Sequence, residues 1–302
     1  MSGICDGRVV IVTGAGRGLG RAHALAFAAE GAKVVVNDIG AEADGSGGSL
    51  SPAQEVVDEI VAAGGAAIVN GDDVSSVEGA ERMVNMAIET FGGLDVVLNN
   101  AGIVRDRMFA NATADEWDAV MQVHLKGHFL PAKFAAGYWR DQSKAGKPVS
   151  GRIINTSSGA GLMGSIAQAA YSAAKGGIAS LTLVQAAELG RYGVTANALA
   201  PSARTRMTEE AFAEMMAAPT DGSFDSMAPE NVSPAVVWLG SEQSSHVTGR
   251  VFELEGGKIG IAQGWMHGPT FDKGARLEPA EVGAIVADLL AEAAKPTPVY
   301  GT

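Results

Sequence analysis

Short apolar runs alternate along the chain with longer stretches whose apolar residues recur every three or four positions. That pattern predicts buried parallel strands separated by helices. The runs at 8–12, 32–37, 66–70, 94–98, 153–159, 193–199 and 251–254 read as strands, the sixth ending at Pro201. Helical periodicity covers 21–30, 52–63, 77–91, 113–140 and a stretch through Tyr171 to about 189. Pro131 lies inside 113–140 and predicts a kink there. Residues 40–51, rich in Gly, Ser and Asp, read as a solvated connection, because they lack the Gly-Lys-Ser/Thr of a phosphate-binding loop. Segment 205–218 carries Met207, Phe212, Met215 and Met216, which reads as a lid over a cleft or as an ordinary amphipathic surface helix. Beyond Lys258 the pattern weakens: 279–294 reads as helical and 296–302 as frayed.

Composition makes this one α/β domain. The 302 residues are 47% hydrophobic with 40 glycines and 6% aromatics, enough for a full core. The expected subdivisions are a substrate lid at 203–220 and a C-terminal extension at 258–302. No apolar run approaches the ~18 to 20 residues of a membrane helix, and no signal-like segment opens the chain, so a cytoplasmic protein is expected. A formal net charge of −12 speaks against nucleic acid or an anionic membrane as partner. Cys5 is the single cysteine, which excludes an internal disulfide, and the five histidines form no metal-ligand pattern.

The chemistry concentrates where strands end. Gly14, Gly16, Gly18 and Gly20, with Arg17 and Leu19 among them, join the first strand to a helix. Such glycines let the backbone turn tightly and approach a pyrophosphate at the helix N-terminus. Asp38 ends the next strand, where a carboxylate bonds adenosine ribose hydroxyls and repels a 2′-phosphate, which favours NAD; Arg17 is the one residue nearby able to offset that repulsion. Asp73 and Val74 follow the third strand, with Asp73 read as a cap or an adenine contact, and Asn100, Ala101 and Gly102 follow the fourth as a cleft edge or a plain turn. Tyr171 and Lys175 are four residues apart and share one helix face, so the ammonium is expected to stabilise the phenolate and lower the tyrosine pKa. Ser158 lies at a strand end, suited to holding a reacting oxygen.

These motifs resemble the short-chain dehydrogenase/reductase family: Thr13-Gly14-Ala15-Gly16-Arg17-Gly18-Leu19-Gly20, Asn99-Asn100-Ala101-Gly102, Ser158 and Tyr171-Ser-Ala-Ala-Lys175, over residues 7 to about 257. The resemblance implies a doubly wound parallel sheet of about seven strands (the Rossmann fold), a nicotinamide cofactor and hydride transfer. It implies that Tyr171 is the general acid/base, that Lys175 binds the nicotinamide ribose, and that Ser158 bonds the reacting oxygen. Pro201 and Thr205 fall where the family contacts the cofactor, although the usual glycine after the proline is Ser202 and the usual threonine is Arg206, leaving Thr205 or Thr208 for the carboxamide. The family's central-helix asparagine is His124 here, either a proton-relay partner or a satisfied core histidine.

Stretches 37–40, 100–107, 123–127 and 200–208 further resemble the (3R)-hydroxyacyl-CoA dehydrogenase part of multifunctional β-oxidation enzymes, also described as 17β-hydroxysteroid dehydrogenases. The expectation is therefore an NAD-dependent enzyme of lipid metabolism that oxidises a bulky secondary alcohol and assembles as a dimer or tetramer through 113–140 and 169–189. Arg204 and Arg206 are candidates for CoA phosphates, with surface pairing to Glu209 or Glu210 as the alternative. An NADPH-dependent 3-oxoacyl carrier-protein reductase and a non-catalytic NAD-binding module are the other readings.

Overall fold

The computed structural model describes residues 3–205, 208 and 216–301. Its centre is an eight-stranded sheet in the order β3-β2-β1-β4-β5-β6-β7-β8. The strands are β1 (Val9–Thr13), β2 (Lys33–Asn37), β3 (Ala66–Asn70), β4 (Val96–Asn99), β5 (Gly151–Thr156), β6 (Val194–Ser202), β7 (Val251–Glu255) and β8 (Lys258–Ala262). The pairings from β3 through to β7 are parallel, and β8 turns back antiparallel on β7.

Helices cover both sheet faces, which is why the central strands are apolar without interruption. On one face Val10, Val12, Val34, Val36 and Leu98 pack with Phe27 of α1 (Gly18–Ala29), Val56 and Ile60 of α2 (Ser51–Ala62), and Val236 and Leu239. On the other, Val9, Ile11, Val35 and Val97 meet Met83 and Val84 of α3 (Val77–Phe91) and Trp139. Strand order reverses at β1, whose neighbours are β2 and β4, so the chain leaves their carboxyl ends in opposite directions and opens a crevice there.

Three features differ from the sequence reading. The segment 113–140 is not one regular helix: α4 (Ala114–Met121) and α5 (Gly127–Lys144) flank a π-helical turn at Gln122–Lys126. The irregularity therefore sits upstream of Pro131, at the turn that carries His124. β8 is an additional strand where the pattern had weakened. It follows a hairpin at Gly256 (φ +53°), and its side chains Ile259 and Ile261 are exposed, so no burial signal marks it. Residues 296–302 are not wholly frayed, since Tyr300 pairs with Ser165 in a parallel bridge. α6 (Gly159–Met163), α7 (Ala169–Leu189), α8 (Ser233–Gly240) and α9 (Pro279–Glu292) complete the helices used below. α6 and α8 are too short to show a period. Among the described residues no helix is long and apolar enough to cross a membrane.

Candidate active site

The crevice at the ends of β1, β2 and β4 is lined by the glycine turn and by residues that follow the strands. Gly14 has φ +63°, and a Cβ there would lie 2.8 Å from the Cα of Ala101; a Cβ on Gly20 would lie 2.1 Å from the carbonyl oxygen of Gly14. Only glycine permits this turn, which brings the start of α1 under the crevice. Asn100 fastens it by donating from Nδ2 to the carbonyls of Thr13 (3.0 Å) and Gly14 (3.2 Å), while the amides of Asn100 and Ala101 donate to Thr13 Oγ1.

Asp38 is held at the same end: Oδ2 accepts from the Gly16 amide at 2.8 Å and Oδ1 from the Gly40 amide at 2.6 Å. Arg17 Nη1 lies 4.0 Å from Glu42 Oε1, so its charge is partly balanced. Asp73 Oδ1 accepts from the amide and hydroxyl of Ser75, and Asp73 and Val74 line the crevice together with Gly18, Leu19, Gly102 and Thr205. Thr205 sits beside the glycine turn, its Cγ2 3.6 Å from where a Gly18 Cβ would be. Sequence reasoning missed Ile39, Ile103 and the loop at 41–45. That loop is exposed as expected, yet it lines the crevice and accepts a bond from the Val104 amide at Ala43 O (3.1 Å). The available signal was that Ile39 and Ile103 directly follow Asp38 and Gly102, residues already assigned to the crevice.

Ser158 ends β5's extension and caps α6, its Oγ accepting from the Ala160 amide at 3.2 Å. Its hydroxyl is close enough to the Tyr171 phenol to pull that group's pKa down. Lys175, 3% exposed, donates from Nζ to the carbonyl of Thr156 at 2.6 Å and lies 5.5 Å from the centre of the Tyr171 ring. Gly161 lets α6 cross α7 closely, since a Cβ there would meet the Lys175 backbone carbon at 2.6 Å. Serine, tyrosine and lysine are thus brought together, as their motifs predicted.

The expected direction of the tyrosine pKa is overturned. Burial raises it, the Ser158 hydrogen bond opposes that rise, and Asp106 adds to it. Burial, the largest cause, decides the direction, and it lowers the Lys175 pKa as well, to about 7.

His124 is fully buried and neutral, its pKa lowered to about 3 by burial first and by Lys175 second. Its Nε2 lies 2.7 Å from Ile103 O and 3.1 Å from Ile103 N, and its ring meets Tyr171 edge-on at 5.2 Å. Its Nδ1 is buried without a partner. Position beside Tyr171 and core burial therefore coincide in one residue.

Arg204 pairs with Asp225 and donates to Met216 O at 2.8 Å. Met216 is buried rather than presented to a substrate. Arg206, Met207, Glu209, Glu210, Phe212 and Met215 lie outside the described residues, and with them half of the expected lid.

A glycine-turned crevice at the sheet's switch point, beside a serine and a tyrosine with a buried lysine, defines a nicotinamide-dependent oxidoreductase acting on CH–OH groups. The short chain dehydrogenase family model matches residues 8–216, and the chain belongs to that family. It is 45% identical over 295 residues to Hydroxyacyl-CoA dehydrogenase ChsB1 of Mycobacterium tuberculosis, covering 95% of this chain and 89% of that protein. It is also 45% identical to Peroxisomal multifunctional enzyme type 2 of Mus musculus over 84% of this chain, but spans only 32% of that longer protein. A crystal structure of a short chain dehydrogenase from Mycobacterium avium superposes with a TM-score of 0.89 at 64% identity, covering 99% of this chain and 100% of that one.

Proposed function

We propose that this chain is an NAD-dependent dehydrogenase that oxidises the secondary alcohol of a bulky apolar substrate, a 3-hydroxyacyl-CoA or a 17β-hydroxysteroid, to the ketone. The observation that carries the reading is the gathering of Ser158 at the start of α6, Tyr171 and the buried Lys175 next to a crevice that ends in Asp38. The glycine turn fits a dinucleotide, because Gly14 and Gly20 let the chain fold tightly against Ala101 and on itself, which brings the backbone amides at the start of α1 to the crevice where a pyrophosphate would lie.

Tyr171 takes the proton of the substrate hydroxyl as its own phenolic proton leaves on the Lys175 side, and Ser158 donates to the same substrate oxygen and keeps it in line. Lys175, fixed on Thr156 O, holds the cofactor's ribose and supplies a proton path away from the phenol. His124 closes the back of the Tyr171 ring as a neutral group, with Nδ1 as the acceptor for a relay water. Bound NAD supplies the hydride acceptor.

Asp38 supports NAD over NADP, since its carboxylate is rigidly held by two amides and Arg17 has Glu42 beside it. A 3-oxoacyl-[acyl-carrier-protein] reductase of Synechocystis is 38% identical over 83% of this chain, and the alternative reading of this chain as an NADPH-dependent reductase is the one that Asp38 disfavours. The names of the relatives support hydroxyacyl-CoA as the first substrate to try. The enzyme works in the cytoplasm, where a single buried, unpaired cysteine is ordinary.

The test is a panel assay of NADH and NADPH formation with (3R)- and (3S)-hydroxyacyl-CoAs, 17β-hydroxysteroids, short alcohols and polyols. A bulky alcohol with NAD should give the highest kcat/KM, and Asp38→Ala should erode the cofactor preference. A polyol or short alcohol as best substrate, or equal use of both cofactors, refutes the reading.

A further inference from the structure

The C-terminal residues reach the catalytic loop. The amide of Ile166 donates to the carbonyl of Tyr300 at 3.0 Å, and the amide of Tyr300 donates to Gly164 O at 3.2 Å. The loop they grip joins α6, which Ser158 caps, to α7, which carries Tyr171. Val299 lies over Gly164, with a Cβ there 3.4 Å from its Cγ1, and Gly301, at φ +89°, packs on Ile166. From the other side Arg107 pairs with Gln168 and donates its amide to Ala167 O at 2.7 Å. Ala167 has φ +63°, a conformation a non-glycine residue rarely holds without support from both flanks.

The Tyr300 ring extends from this bridge toward Ser158. A Cβ on Gly159 would lie 2.7 Å from the Tyr300 hydroxyl, 3.0 Å from Cε2 and 3.1 Å from Cζ, so the ring covers the first residue of α6 and uses the room glycine leaves. Tyr300 is nevertheless 48% exposed, so the residue that packs next to the one following Ser158 also keeps surface to offer. α9 has no buried residue, so the tail is positioned by its own contacts with the loop rather than by the helix before it.

We propose that Tyr300, carried by the docked C-terminal tail, is a specificity-determining residue: its ring forms one wall of the substrate site beside Ser158 and packs against the acyl chain or ring system next to the reacting carbon. A large, rigid, amphipathic ring suits that contact, because it presents apolar area with little entropy to lose. The assignment deepens the proposed oxidation of bulky alcohols and rests on it for the identity of the substrate.

The readout is selectivity, the kcat/KM for the bulkiest alcohol turned over divided by that for the smallest. Tyr300→Ala should lower this ratio about tenfold or more, mainly through KM for the bulky substrate, while Tyr300→Phe keeps the ring and stays near the wild-type ratio. Gly159→Ala should act in the same direction by displacing the ring, and should change nothing further in the Tyr300→Ala background, because its Cβ acts through that ring. A ratio unchanged within about twofold in Tyr300→Ala overturns the proposal, whether or not overall activity falls.

Docking is read separately by hydrogen exchange at the Ile166 amide, which should be slower in the full chain than in a chain ended at Lys295. Equal exchange overturns the proposal whatever the substrate. A wild-type enzyme that ignores hydroxyacyl-CoAs and steroids sinks the substrate reading alone, since the ratio and the exchange rate are still measured.

Discussion

Acidification should destabilise this protein well above the pH at which carboxylates titrate, because it folds around neutral histidines. His23 and His124 are buried at 1% and 0% exposure, and burial lowers each pKa from 6.5 to about 3; His128 is lowered in the same direction for the same first reason. Below pH 6.5 the unfolded chain takes up a proton at each of these rings while the folded chain does not. Stability therefore falls as pH drops, with the loss continuing until the folded rings protonate near pH 3. Each ring costs about 1.4 kcal/mol per pH unit. Between pH 6.5 and 5.0 that is about 2 kcal/mol per ring and about 4 kcal/mol for His23 and His124 together, a large part of an ordinary domain's stability. Urea unfolding at pH 6.5, 5.5 and 5.0, at one protein concentration and salt, measures the slope directly. His23→Gln, which removes one titrating ring at its contact with Ser233 Oγ (2.9 Å), should reduce the slope by about 1.4 kcal/mol per unit whatever it does to the starting stability. A flat profile across this window, or rising stability on acidification, refutes the reasoning.

The remaining predictions concern the cradle and the assembly. Gly20→Ala forces a Cβ to 2.1 Å from Gly14 O and 2.7 Å from Asn100 Nδ2, so NADH affinity measured by fluorescence should fall by about tenfold or more and the fold should lose about 1–3 kcal/mol. Wild-type affinity in this variant removes the glycine turn from cofactor binding. Trp117 and Phe129 on α4 and α5, with Leu183 and Val184 on α7, are between 41% and 53% exposed, so light scattering should give a dimer or tetramer. A monomeric mass at micromolar concentration contradicts that.

What the sequence made legible was set by how local each signal is. β3 and α3 occupy the predicted residues because apolar period and capping act within one element: Ser76 caps α3 by accepting from Gly79, and Gly92 ends it in the left-handed region. The Ser158, Tyr171 and Lys175 cluster was legible because its spacing is encoded on one strand end and one helix. The tyrosine pKa was not, because its direction depends on how deeply the phenol and ammonium are buried, a property of packed α6 and α7 rather than of spacing. Arg204's pairing with Asp225 and the docking of Tyr300 were invisible for a related reason. Both are contacts between distant residues, and neither carries a periodic or compositional mark. β8 escaped because its outward isoleucines look the same in a strand as in a loop.

The measurement that tests the central claim most directly is NADH formation from a 3-hydroxyacyl-CoA by the wild-type protein and by Tyr171→Phe, each with NADH affinity determined in parallel. The account predicts that the wild type turns over and that the variant loses kcat by about a hundredfold or more while still binding the cofactor, because one transferable proton is removed and little surface is changed. Near-normal turnover by Tyr171→Phe would contradict it.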